Sequence, residues 1–153
     1  AYASIDWVSI FLFAGMISVS SAMDKTGAGK LLAKFCVDLL GGTPSPLFVA
    51  ALLFLVSSFL TQFMSNTATA TLLCPIGVAI AQQIGASPHA VVMSITIGIA
   101  CAYATPVGTP PNTLVLGPGG YRFMDYVKVG TPLIFVSFIV SMIVIPIVWP
   151  FFK

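Results

Sequence analysis

The fold is decided by two polar stretches, Ser65-Asn66-Thr67-Ala68-Thr69-Ala70-Thr71 and Ala104-Thr105-Pro106-Val107-Gly108-Thr109-Pro110-Pro111-Asn112. Both lie inside an 83-residue segment, Leu39–Tyr121, that contains no Asp, Glu, Lys or Arg. A helix broken at membrane depth is tolerated only where its freed backbone groups are buried in protein or line a water-filled cavity. Paired breaks of this kind are the sequence sign of a transporter's binding site. We therefore predict that the two stretches meet around a ligand.

The composition of the chain is that of a membrane protein. Hydrophobic residues make up 58% of the 153 residues and charged residues 7%, against about 25% charged residues in soluble proteins. The net charge of +2 is too small and too scattered for nucleic-acid binding. The three cysteines lack metal-binding spacing and are interpreted as small apolar residues. We predict an all-α, multi-pass protein of the cell (inner) membrane, surrounded by the lipid bilayer, with no nucleic-acid partner.

Apolar runs and breaks divide the chain into five segments. Residues 1–23 are predicted to form a transmembrane helix, with Trp7 as an interfacial anchor. Residues 24–46 contain an amphipathic helix and a linker, and this helix lies either along the membrane surface or in a solvated loop. The remaining segments are a re-entrant hairpin at 47–86, a discontinuous transmembrane helix at 87–121, and a loop with the last transmembrane helix at 122–153. Because the chain opens with Ala1 rather than Met, we expect it to be a piece of a longer protein.

Three helices are predicted to begin with a Ser or Thr N-cap followed by proline: Ser45-Pro46, Ser87-Pro88 and Thr131-Pro132. The first of them, Leu47 to about Met64, has a length that allows it either to cross the membrane or to dip into it and return. A segment that dips into the membrane and returns is favoured. The second polar stretch lies in the middle of a hydrophobic run, and therefore near the membrane midplane. For the Ser-Asn-Thr turn to lie at the same depth, it has to be the tip of a hairpin near the midplane.

Each break joins the end of one half-helix to the start of another. Unpaired carbonyls at a helix end carry partial negative charge and suit a hard cation such as Na⁺. Free N–H groups at a helix start suit a carboxylate or another oxyanion. The hydroxyls and the amides of Asn66 and Asn112 can hydrogen-bond either species. With no fixed charge nearby, bound cations have to offset the charge of the substrate.

At these residues the chain resembles the divalent-anion:sodium symporters (DASS) of the ion transporter superfamily, which carry di- and tricarboxylates or sulfate. The turn Ser65-Asn66-Thr67 looks like the second of the family's two signature turns. The stretch Thr105–Asn112 looks like the unwound loop of its penultimate helix, and Gly117–Gly130 is similar to its loop into the last helix. The resemblance covers essentially the whole chain and matches the C-terminal half of the family.

The resemblance implies site residues, position by position. A sodium site would be made by the side chains of Thr61 and Asn66 with the backbone carbonyls of Met64 and Gly108. Substrate would be bound by Ser65, Asn66, Thr67, Thr109 and Pro110. Met64 stands where the family has a small residue, so it enters only through its carbonyl.

The resemblance also implies an architecture. The chain would be one inverted repeat of a homodimeric secondary transporter, with 1–23 in the dimerising scaffold and 24–40 as an arm helix leading to a moving transport domain. The N-terminal repeat would supply the second sodium site and the other signature turn.

These expectations define a function. We predict a transporter rather than an enzyme, the C-terminal half of a sodium-coupled carrier of a small divalent anion such as succinate, citrate or sulfate, working by alternating access. The alternatives are a proton-coupled or exchange-type anion transporter of the same superfamily, and a non-transporting membrane assembly subunit or a channel. A channel should show charged rings or a carbonyl filter along a pore. A missing in-span carboxylate argues against proton coupling, although an N-terminal half can supply one.

Overall fold

A computed structural model describes residues 25–26 and 44–152 of the chain. Its five helices are α1 Pro46–Leu60, α2 Asn66–Gln83, α3 Pro88–Ala100, α4 Pro110–Leu116 and α5 Phe123–Val148. Every regular element between residues 44 and 152 is helical, as the sequence predicts. The expected transmembrane helix at 1–23 lies outside the described residues, as does nearly all of the expected interfacial helix at 24–40.

Helices α1 and α2 form an antiparallel hairpin. Residues 61–65 turn the chain, and the Ser65 side chain caps α2 by accepting a hydrogen bond from the Ala68 N–H at 3.2 Å. Away from the turn, Gly77 of α2 lies against Leu53 of α1, with 3.7 Å from a Cβ built on Gly77 to the leucine side chain. The two helices therefore run side by side in opposite directions from the turn.

Helix α3 packs against α1 and runs parallel to it. The Ser94 hydroxyl donates to the Ala50 carbonyl at 2.6 Å. One turn further along both helices, a Cβ added to Gly98 would lie 2.7 Å from the Phe54 carbonyl oxygen. Glycine at position 98 thus allows the two backbones to approach closely. Because α1 and α3 run in the same direction, the hairpin turn lies level with the end of α3.

The buried apolar core lies between the first three helices. It consists of fully or almost fully buried aliphatic side chains from α1, α2 and α3: Val49, Leu53, Leu73, Ile80, Ala81, Val91, Ile95 and Ile99. These helices are short: at about 1.5 Å per residue, the 15 residues of α1 reach about 22 Å. The hydrocarbon core of a bilayer is about 30 Å thick.

Helix α5 is the one helix within residues 44–152 that is long and apolar enough to cross a membrane, judged by length and composition. Its 26 residues correspond to about 39 Å. It runs antiparallel to α3: Gly130 lies against the backbone of Tyr103 and Ala104, and the Ser87 N–H donates to the Phe151 carbonyl at 2.7 Å. Helix α5 therefore spans the full height of α3 and the loop that follows it.

Two of the three predicted helix starts are confirmed and one is wrong. Ser45 caps α1 and Ser87 precedes Pro88 at the start of α3. Helix α5, however, begins at Phe123 instead of at Pro132, which lies inside it. The earlier start is stabilised by Asp125, whose carboxylate accepts a hydrogen bond from the Arg122 N–H at 2.8 Å. This is the reciprocal contact of a capping box, which satisfies a backbone donor at the start of α5.

Candidate functional site

The hairpin turn brings together two of the residues expected to bind sodium. Thr61 directly follows α1 and is 0% exposed, and Asn66 is the first residue of α2. The Thr61 hydroxyl donates to the Asn66 side-chain oxygen at 2.6 Å. Two side-chain oxygens therefore lie next to each other in a part of the protein that carries no charged residue.

Ser65 and Thr67 lie on the first turn of the same helix. The Ser65 hydroxyl oxygen accepts from the Ala68 N–H, and its backbone carbonyl accepts from the Thr69 hydroxyl at 3.1 Å. A serine hydroxyl that accepts a capping bond still has a proton to donate. Ser65 is exposed and Thr67 is half-buried, so both side chains can reach a ligand above the start of α2.

A residue that the sequence reasoning missed, Gln62, joins the hairpin to the loop between α3 and α4. Its side-chain N–H groups donate to the carbonyls of Ser58 at 2.7 Å and Cys101 at 2.9 Å. Its side-chain oxygen accepts from the Ala104 N–H at 3.1 Å. A signal was available, because Gln62 is a polar residue at the end of an apolar run, three residues before the Ser-Asn-Thr turn.

Thr105 makes the second connection between hairpin and loop. Its hydroxyl donates to the Gln62 carbonyl at 2.9 Å and accepts from the Gly108 N–H at 3.1 Å. Gly108 packs closely on the loop, since an added Cβ would lie 3.1 Å from the Ala102 Cβ. The hairpin turn and the loop after α3 therefore meet through Gln62, which precedes the Ser-Asn-Thr turn, and the meeting of the two polar stretches around a ligand stays a prediction.

Asn112 holds the loop together, with its amide N–H groups donating to the carbonyls of Ala102 at 2.9 Å and Thr105 at 3.0 Å. Its own carbonyl accepts from the Tyr126 hydroxyl of α5 at 2.8 Å. We had expected the Asn112 amide to be available to a ligand. Its donors are used by loop carbonyls, so only its side-chain oxygen remains for that role.

The loop carbonyls fall into two groups. Side chains donate to the carbonyls of Cys101, Ala102, Thr105 and Pro106. No donor among residues 44–152 reaches the carbonyls of Met64 and Gly108, and the same holds for the loop carbonyls of Tyr103, Ala104 and Val107. The two carbonyls expected to bind sodium are thus among several whose lone pairs are free for a cation.

Thr109 and Pro110 begin α4 on the other side of the loop. Thr109 is the N-cap residue but makes no side-chain capping bond, and Pro110 is exposed. Within the described residues, no hydrogen bond joins Thr109 to Ser65, Asn66 or Thr67. The structure thus brings Thr61 to Asn66 and the hairpin to the loop, while the expected substrate-binding residues of the two stretches make no direct hydrogen bond with each other.

Within residues 44–152, charged side chains occur only at the start of α5. The described charged residues beyond position 44 are Arg122, Asp125 and Lys128, at the start of α5. No group of three or more His, Cys, Asp or Glu residues able to hold a metal occurs in the described part of the chain. A cavity of about 380 Å³ opens near these charges, between the loop, α4 and α5, and is lined by residues that include Tyr103, Val115, Tyr121, Tyr126 and Leu133. Asn112 of the second polar stretch and Asp125 also line it, whereas Thr61, Asn66 and Gly108 do not.

These features define a class of protein. A helix that is long and apolar enough to span a membrane packs against shorter apolar helices, two of which end at uncharged polar breaks. Irregular backbone of this kind belongs to membrane transport proteins, where it lines the path of a ligand.

Comparison with known proteins gives the family. A family model described as citrate transporter matches residues 1–152. The uncharacterized transporter YfbS of Escherichia coli is 42% identical over 151 residues, which cover 99% of this chain and 25% of that protein. A sodium-dependent dicarboxylate transporter, SdcS of Staphylococcus aureus, is 30% identical over 146 residues, covering 95% of this chain and 28% of that protein. The chain belongs to the citrate transporter family, and it spans about a quarter of the length of these curated relatives.

Proposed function

We propose that this chain is the C-terminal repeat of a sodium-coupled secondary transporter that moves a divalent anion by alternating access. The observation that carries the proposal is the meeting of two uncharged helix breaks, joined by the hydrogen bonds of Gln62 and Thr105. The substrate class is a di- or tricarboxylate, such as succinate or citrate, or sulfate. The transporter works as a homodimer in the cell (inner) membrane, together with an N-terminal repeat.

Na⁺ is the coupling ion, bound by the side-chain oxygens of Thr61 and Asn66 and by the carbonyls of Met64 and Gly108. Support comes from the 2.6 Å contact between the two side chains and from the free lone pairs of the two carbonyls. Neutral hydroxyl, amide and carbonyl oxygens are ligands that hard cations prefer. The name of the relative SdcS, a sodium-dependent dicarboxylate transporter, agrees with this assignment.

The anion is bound next to the cation by Ser65, Asn66, Thr67, Thr109 and Pro110. The start of α2, an 18-residue helix, presents its positive dipole end at Ser65 and Asn66. The Ser65 hydroxyl proton and the Asn66 amide N–H groups are donors that remain free in the described structure. Because no Lys or Arg lies in this region, Na⁺ is needed to compensate the charge of the substrate.

The helical hairpin α1–α2 enters the membrane and returns to the same side. Support comes from the parallel packing of α1 and α3, which puts the starts of both helices at the same level. The end of α1 then lies about 22 Å from its start, inside a hydrocarbon core of about 30 Å. The loop after α3 lies at the same depth because Gln62 contacts it.

Uptake by the full-length transporter, reconstituted in proteoliposomes, tests the proposal. We expect radiolabelled succinate, citrate or sulfate to accumulate under an inward Na⁺ gradient and not under an equal K⁺ gradient. A thermal-shift screen of the same protein with each anion, in Na⁺ or K⁺, identifies the substrate, because a ligand that binds the native state raises the melting temperature. Equal accumulation in Na⁺ and K⁺, or accumulation driven by a proton gradient alone, would contradict sodium coupling.

A further inference from the structure

We propose that Gln62 is a positioning residue: its neutral amide fixes the hairpin turn against the loop after α3 and so sets the geometry of the cation site. The inference rests on the sodium-coupled function proposed above. Gln62 itself is not a ligand in this scheme, because its side-chain oxygen and both of its side-chain N–H groups are used within the protein.

The hydrogen bonds of Gln62 fix the orientation of its amide. The side chain is 6% exposed, and its two donors face the carbonyls of Ser58 and Cys101 while its oxygen faces the Ala104 N–H. A flipped amide would place its oxygen against two carbonyl oxygens. Only a group with donors on one side and an acceptor on the other satisfies all three partners.

This one side chain connects the ends of two half-helices. Ser58 lies in the last turn of α1, whereas Cys101 and Ala104 follow the end of α3. The Cys101 carbonyl is one of the groups left unpaired at a helix end, and burial without a partner would be costly. Gln62 satisfies it and thereby holds the loop at a fixed height against the hairpin.

The connection extends to candidate sodium ligands on both sides. Thr61 is the neighbour of Gln62 in the chain, and its hydroxyl contacts Asn66. On the loop side, the Gln62 carbonyl accepts from Thr105, and the hydroxyl of Thr105 accepts from the Gly108 N–H. A shift of Gln62 therefore moves Thr61 and Gly108 relative to each other, and these two residues belong to opposite halves of the cation site.

The substitution Gln62→Glu tests this role, because it changes the donors of the side chain with little change in shape. A protonated carboxylic acid keeps one donor and one acceptor, so it retains part of the network. A carboxylate has acceptors only and would face the carbonyls of Ser58 and Cys101. Gln82→Glu is the matched control, since Gln82 is exposed near the end of α2 in the same hairpin.

Few other groups can produce a pH effect in this experiment. The titratable side chains on α2, α3, the loop and the start of α5 are Cys74, His89, Cys101, Tyr103, Asp125, Tyr126 and Lys128. In the loop that Gln62 contacts they are a thiol and a phenol, which ordinarily titrate above pH 8. The same groups are present in the control variant.

The measurement is the Na⁺ concentration that gives half-maximal anion binding to the full-length protein, at pH 6 and pH 8. For Gln62→Glu we expect at least a tenfold higher Na⁺ requirement than for Gln82→Glu at both pH values, because either protonation state of the new side chain leaves at least one of the three partners without its hydrogen bond, whereas Gln82→Glu should stay within twofold of the unsubstituted protein. A Gln62→Glu variant that matches the control at both pH values would overturn the proposal. Tighter Na⁺ binding at pH 8 would overturn it as well, because it would make residue 62 a direct ligand.

The melting temperature without Na⁺ or anion separates this inference from the proposed function. We expect Gln62→Glu to melt several degrees below Gln82→Glu, because the network holds the fold together without ligands. If the unsubstituted protein binds anions without Na⁺, the proposed function fails, while the loss of melting temperature still tests the connection. Absence of that loss refutes the role of Gln62 whatever the coupling ion is.

Discussion

At the scale of single residues, the contact between Thr61 and Asn66 is the smallest unit of the proposed cation site. A hydroxyl proton occupies the space between two oxygens that are 2.6 Å apart. When Na⁺ binds, the hydroxyl has to turn its proton away so that its lone pairs face the ion. The hydrogen bond between the two side chains therefore keeps both oxygens in place and satisfied while the site is empty of cations.

Asn66→Ala is expected to weaken both Na⁺ and anion binding to the full-length protein, because its side-chain oxygen serves the cation and its N–H groups serve the anion. Losing a hydrogen bond to a charged group costs about 1.5–3 kcal/mol, which corresponds to roughly a ten- to hundredfold loss of affinity. Titrations of each ligand at a saturating concentration of the other measure the two losses. Gln83→Ala, which removes an exposed amide at the end of the same helix, should change neither. Reduced anion binding with unchanged Na⁺ dependence would remove Asn66 from the cation site.

Residue types and breaks predict that the hairpin turn and the loop after α3 come together, but not which residues join them. Thr61 and Asn66 were expected together from the family resemblance, and the structure joins them. The role of Gln62 was missed because its contacts with Cys101 and Ala104 depend on how the ends of two half-helices pack, which the sequence does not specify. The hydrogen bonds from the Asn112 amide to the carbonyls of Ala102 and Thr105 were also not predicted, since a sequence does not show which loop carbonyls an amide will reach.

At the scale of helices, a Ser-Pro or Thr-Pro pair marks a helix start only where the residues before it do not already form a helix. Ser45-Pro46 and Ser87-Pro88 both begin helices, with Ser45 and Ser87 in the extended conformation of an N-cap. Thr131-Pro132 follows residues that already form the first two turns of α5, stabilised by Asp125, so Pro132 lies inside the helix. The competing signal was Asp125 three residues after Arg122, the spacing of a capping box, and the sequence reasoning gave it no weight.

The depth of the hairpin turn can be measured with spin labels on single cysteines in a full-length protein from which the native cysteines have been removed. We expect a label at Phe63→Cys, on the turn, to lie deepest in the bilayer. Labels at Leu47→Cys, in the first turn of α1, and Gly117→Cys, after α4, should lie near opposite surfaces. All three positions are exposed, so the labels do not disturb the core. A label at position 63 as shallow as the one at position 117 would mean that α1 crosses the membrane completely.

At the scale of the whole molecule, electrostatics decides what the transporter can couple to. A dianion entering a region of low dielectric constant requires compensation, because uncompensated buried charge is costly. Each helix N-terminus contributes only about half a positive charge. No Lys, Arg, Asp or Glu lies between Leu39 and Tyr121, so this segment offers neither a fixed positive charge nor a carboxyl group to exchange a proton.

Anion binding is therefore expected to depend steeply on Na⁺ and only weakly on pH between about 6 and 8. Histidine is the side chain that normally titrates in this range. His89 is exposed in the first turn of α3, at the opposite end of that helix from the loop. Cys101, at the start of the loop, comes 12 residues after His89, and at about 1.5 Å per residue the two lie about 18 Å apart along the axis of α3. Its protonation should thus leave the site almost unchanged.

Binding of the anion to the full-length protein, measured over a range of Na⁺ concentrations at pH 6, 7 and 8, checks this expectation once the ionisation of the substrate is taken into account. We expect less than a threefold change with pH at saturating Na⁺, and the same small change in His89→Gln. A tenfold pH effect that His89→Gln abolishes would place a proton in the coupling mechanism. Full binding in sodium-free buffer would show that the charge of the substrate is compensated from another part of the protein, and Thr61, Asn66 and the free carbonyls of Met64 and Gly108 would then have no cation to bind.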